Sequence, residues 1–64
     1  MYTLQVFYDG SHTPDDTHEV RAASDVLTLI PKLLQDHEGC ERIVVSLSGT
    51  RMFAVDCKGN RLPD

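Results

Sequence analysis

The only stretch of this chain with apolar residues at helical spacing lies in its middle. Val26, Leu27, Ile30, Leu33, Leu34 and His37 follow the i, i+3, i+4, i+7 rhythm of one helical face. On each side stand two short runs rich in β-branched and aromatic residues, so one helix has to serve two pairs of strands. The spacing predicts a helix over 25–37. Ser24 is placed to cap its first turn, Asp25 favours the positive end of the dipole, and Gly39 suits a left-handed stop. Pro31 interrupts the pattern, because inside a helix it removes one backbone bond at a cost of around 3 kcal/mol.

Residues 2–8 alternate as a half-buried strand does, with Leu4, Val6 and Tyr8 on one face and Thr3, Gln5 and Phe7 on the other. Residues 9–16 are dense in turn formers, and a second strand fits 17–23 with His18, Val20 and Ala22 inward. Residues 41–47 and 51–57 flank Ser48-Gly49-Thr50 and read as a second hairpin. A three-residue loop sets Ile43, Val45 and Leu47 on a face with Phe53, Val55 and Cys57. A two-residue loop exchanges faces and pairs Cys40 with Cys57. The first register places more bulk under the helix and is the one expected. Residues 58–64 read as a turn and a loose tail, which leaves 1–57 as the folded domain.

The result is a single α+β domain of ββαββ order: a four-stranded sheet with the helix on one face. A compact solution sets strands one and four parallel in the middle, in the order 2-1-4-3, which is the β-grasp arrangement. An all-antiparallel sheet is the competing arrangement. Glu19-Val20-Arg21, Ser24-Asp25 and Gln35-Asp36-His37-Glu38-Gly39 resemble the second strand, helix start and helix end of ubiquitin-like proteins. Element order and length over residues 1–47 also resemble the small immunoglobulin-binding domains of protein G. The resemblance implies a small scaffold presenting a sheet face or edge. The chain departs from the modifier pattern, because it ends Arg61-Leu62-Pro63-Asp64 rather than in Gly-Gly, so conjugation is not expected.

Size and charge narrow the function. A chain of 64 residues buries only about 60% of its unfolded surface, too little for a deep cleft beside a cofactor domain. With 41% apolar and 25% charged residues it falls among folding chains rather than disordered ones. Ten acids against six bases give a net charge of −4, the wrong sign for a phosphate backbone, so nucleic acid is not an expected partner. No apolar run approaches the roughly 20 residues that cross a bilayer, and no membrane partner is expected. The opening Met1-Tyr2-Thr3-Leu4-Gln5 lacks the basic stretch and apolar core of a secretory signal. Two cysteines then read as reduced thiols in a cytoplasmic protein.

Three constellations remain. Asp9, His12, Asp15 and Asp16 gather metal-ligating types in one loop, with His18 nearby, in a spacing that matches neither an EF-hand nor an HExxH pattern. His37, Cys40 and Cys57 form a second group, the basis for an alternative reading as a metal- or redox-responsive domain. Its plainer reading has His37 capping the helix and both thiols packed as small apolar groups. No nucleophile elbow or phosphate loop appears, so neither an enzyme nor a cofactor is expected. Third, the sheet face away from the helix would show Phe7, Val44, Met52 and Ala54, rimmed by Arg42 and Arg51. Such a patch marks association, so the expected function is a small protein-binding or regulatory module, with a protein partner or a second copy on that face.

Overall fold

A computed structural model describes residues 1–63. In chain order it contains β1 (Tyr2–Phe7), β2 (Asp16–Val20), α1 (Ala23–Asp36), β3 (Arg42–Leu47) and β4 (Thr50–Asp56). The α+β class and the ββαββ order are those expected. The sheet order is not: it runs β2-β1-β3-β4 and is antiparallel throughout. β1 therefore pairs with β3 and not in parallel with β4, and the β-grasp arrangement does not form. Two physical reasons favour the observed order. The link through α1 bridges two strand spacings, about 10 Å, instead of three, about 14 Å. And Ile43-Val44-Val45, apolar on both faces, suits a central strand, whereas Thr50-Arg51-Met52 suits an edge.

One face of the sheet carries the core. Leu4 stands opposite Val45 and Val6 opposite Ile43, all four fully buried, and Val55 and Phe53 extend these rows into β4. Val26 and Leu33 seal the core from the helix. The helix packs on the β1–β2 half of the sheet, which leaves the β4 side of that face more open.

Details of the elements depart from expectation for local reasons. β2 ends at Val20, so Ala22 is not an inward strand residue but the residue before the helix. No side chain caps α1; Ser24 lies inside its first turn, and the Ser24 carbonyl accepts from the Thr28 hydroxyl. The helix runs through Pro31. Pro31 and Leu27, whose carbonyl loses its partner there, are both exposed, so water can replace the lost bond. Gly39 takes the left-handed conformation (φ 81°) just past the helix end.

The second hairpin combines both loop readings. Its turn has two residues, Ser48 (φ 50°) and Gly49 (φ 86°), left-handed as the I′ turn requires. Yet Ile43 faces Val55 and Val45 faces Phe53, the register expected of three residues, because a bulge leaves Met52 unpaired between Arg51 and Phe53. Beyond β4 the chain turns back rather than trailing loosely. The Asp56 carboxylate accepts from the Lys58 and Asn60 amides, and Arg61 bridges to Val55. Asp64, the last residue of that expected tail, lies outside the described residues.

Candidate functional site

Two places on the molecule concentrate exposed or reactive chemistry, one at each end of α1. At the N-terminal end, Tyr2, Ala23, Val26, Leu27, Val45, Met52 and Phe53 line a groove of about 230 Å³ between the helix and the β3–β4 hairpin. It exists because the helix leans toward β2 while β4 extends the sheet beyond it. Leu27, 70% exposed, and Met52, 46% exposed, are two of the three large apolar side chains most open to solvent among the described residues. Both line this one groove.

At the C-terminal end a polar chain joins β2 to the residues just past β1 and α1. Asp16, as a carboxylate, can only accept, so His37 Nε2–H and His18 Nε2–H both donate to its Oδ2, at 3.1 and 2.8 Å. His37 Nδ1 is then free to accept from the Tyr8 hydroxyl at 3.1 Å. The two imidazoles, His18 first and then His37, hold the Asp16 carboxyl below its usual range. Burial, followed by the charge of Asp15, pushes the Tyr8 hydroxyl up, which keeps it a donor. His37 does not cap the helix with its ring; its backbone N–H bonds the Leu33 carbonyl instead. Beside it, the Cys40 and Cys57 sulfurs lie 2.7 Å apart as free thiols, and Cys57 reaches the His37 carbonyl at 3.4 Å.

The residues expected to form a patch on the open sheet face are divided. Val44 stands between Gln5 and Ala54, and Phe7 lies beside Arg42. The Arg42 guanidinium sits 4.8 Å over the Phe7 ring and pairs with Glu41, so it covers the aromatic rather than rimming it. Ala54 is buried where the returning C-terminal segment bonds its carbonyl. Arg51 remains exposed opposite Ser46. Met52 is the clear correction: the bulge turns it to the helix side, where it meets Leu27 across the groove. Leu27 keeps the rhythm of the core stripe in the sequence, yet at about 100° per residue it stands roughly 100° from Val26, at the margin of the buried face. That offset was the available signal for the groove.

His37, Cys40 and Cys57 do come together, but as a thiol pair beside a histidine already bonded at both nitrogens. Among the described residues no group of three or more His, Cys, Asp or Glu side chains is arranged to hold a metal ion. Of the acidic group, Asp16 and His18 lie in β2 and bond each other, whereas Asp9 and His12 in the preceding loop are exposed. Among the described residues no helix is long and apolar enough to cross a membrane. Comparison with protein families, curated proteins and solved structures finds no match for this chain.

Proposed function

We propose that this domain is a non-catalytic protein-binding module, that its contact surface is the groove at the N-terminal end of α1, and that its occupant is a second copy of the chain. One observation carries this reading: a projecting leucine and a hollow able to receive one share a single surface. Leu27 is 70% exposed beside a groove of about 230 Å³, and an apolar cavity of about 150 Å³ already holds a benzene ring. A twofold axis beside the helix would place each Leu27 in the other copy's groove, which makes the contact self-complementary. Met52 and Phe53 supply the opposite wall. The open sheet face supports a contact less well, since Arg42 covers Phe7 and Ala54 is buried.

A contact confined to one groove is expected to be smaller than the roughly 800 Å² per partner of stable complexes, so weak pairing is expected, with a dissociation constant on the order of 100 µM. The setting we propose is cytoplasmic, where thiols such as Cys40 and Cys57 stay reduced. Sedimentation velocity from about 10 µM to about 1 mM tests the reading. The sedimentation coefficient is expected to rise with concentration, Leu27→Asp to abolish the rise, and Phe7→Ser on the other face to preserve it. Circular dichroism checks that both variants fold. A wild-type chain that stays monomeric throughout overturns the proposal. Sensitivity to Phe7→Ser alone would move the contact to the open face.

A further inference from the structure

The two cysteines come from opposite ends of the second hairpin. Cys40 precedes β3 and Cys57 follows β4, so the pairing of Arg42 with Asp56 carries both thiols to the same end of the sheet. Their sulfurs are 2.7 Å apart, and reaching a bond length of about 2.05 Å needs a movement of less than about 1 Å. The two are not equivalent. Cys40 is buried, while Cys57 is partly open to solvent. Each backbone is fixed: the Cys40 amide bonds the His37 carbonyl, and Cys57 lies between β4 and the turn held by the Asp56 carboxylate.

We infer that Cys40 and Cys57 form a reversible dithiol site that is oxidised to an intramolecular disulfide by a small-molecule disulfide such as oxidised glutathione. Cys57, the accessible sulfur, attacks first as its thiolate. The S–S bond of the small disulfide breaks, one small thiolate leaves, and a mixed disulfide forms on Cys57. Cys40 then gives up its proton, its sulfur attacks the Cys57 sulfur, and the second small thiolate leaves and is protonated. In sum, two protein S–H groups become one S–S bond and one small disulfide becomes two small thiols.

The order of events follows from the surroundings. Burial first, and then the neighbouring Cys57, push the Cys40 thiol up to about 12. Burial, the larger cause, persists once Cys57 is capped in the mixed disulfide, so little Cys40 thiolate exists near neutrality, the second step is the slow one and the mixed disulfide accumulates before it resolves. Closure also removes the S–H that Cys57 directs at the His37 carbonyl, so oxidation is felt at the helix end.

Incubation of the reduced protein with oxidised glutathione, followed by intact mass and thiol titration, tests this. The expected course is a transient glutathione adduct, then a monomer lacking two hydrogens with no free thiol, restored by dithiothreitol. Cys40→Ser should stop at the stable adduct, and Cys57→Ser should resist modification. The oxidised wild type should melt about 10 °C higher than the reduced protein, because the bond closes a loop within the unfolded chain. Two thiols that survive a large excess of oxidised glutathione overturn the inference. So does a product that is an adduct at end point, or a disulfide-linked dimer. The wild-type arm needs no variant to fold, and it reads a different end of the molecule from the association experiment.

Discussion

The two ends of α1 leave different amounts of chemistry unspent. At the C-terminal end, Tyr8, His37, Asp16 and His18 bond one another in sequence, and among the described residues no buried side-chain nitrogen or oxygen lacks a partner. At the N-terminal end Leu27 and Met52 face water across an apolar groove. Polar groups are satisfied by a few well-placed neighbours, so a small protein can close such a cluster on itself. Apolar surface is satisfied only by area, which a four-stranded sheet with one helix does not have in excess. The polar cluster at the end with the more conspicuous residues is therefore self-contained, and the contact we propose falls at the plainer end.

Two leucines on the same helix give this contrast its largest test. Leu33 is 2% exposed and Leu27 is 70% exposed. Leu33→Ala opens a cavity against the sheet and is expected to cost 2–5 kcal/mol, roughly the whole stability margin of a small domain. Leu27→Ala is expected to change stability by less than about 0.5 kcal/mol while weakening association. Urea denaturation at a concentration where the protein is monomeric separates the two. Equal costs would mean that Leu27 belongs to the core and that the groove is closed.

The polar end gives a smaller effect with a pH signature. Asp16→Asn removes the charge from two hydrogen bonds, to His18 and His37. The expected cost at neutral pH is about 1 kcal/mol, held low because the carboxylate is more than one-third exposed. The folded Asp16 carboxyl sits below its unfolded value. Its contribution is thus complete above the unfolded value, near pH 4, and drains away as pH falls through the folded one. The stability curves of wild type and variant should stand apart at neutral pH and converge in acid. Asp56, lowered chiefly by the Asn60 amide and also by that of Lys58, shifts both curves in the same direction and cancels from their difference. A gap that stays constant below pH 4 would show that the charge on Asp16 is not what holds this end together.

Periodicity carried the legible part of this fold. Alternation in 2–8, the β-rich run of 41–47 and the helical rhythm of 26–37 marked three of the five elements, because burial leaves a pattern that any reader can count. The β1–β3 pairing left no such mark, since Ile43-Val44-Val45 reads as a good strand in either sheet order. Met52 was misplaced for a sharper reason. A bulge shifts the phase of a strand by one residue, and nothing in Thr50-Arg51-Met52-Phe53 shows where the extra residue falls. The thiol pair was visible as a possibility of one register. It formed in the other, because Cys40 precedes β3 and is not bound by its alternation. The Tyr8–His37 bond joins residues 29 apart, and spacing along the chain carries no signal at that range.

The smallest expected effect concerns the turn that sets the groove's far wall. Ser48 holds φ 50° ahead of Gly49 at 86°, a conformation that serine adopts at some cost and asparagine more readily. Ser48→Asn creates the Asn-Gly pair favoured in I′ turns and keeps the amide that bonds the Met1 carbonyl. A gain of about 0.5 kcal/mol is expected, a rise of roughly 2–4 °C in the thermal midpoint. The polar end of the molecule should not respond, so the pH dependence assigned to Asp16 should be unchanged. Because the turn fixes the register that forces Met52 out of the ladder, stiffening it should hold or slightly strengthen association. A loss of stability would mean that position 48 is not left-handed, that the bulge at Met52 is not required by the turn, and that the wall facing Leu27 is built some other way.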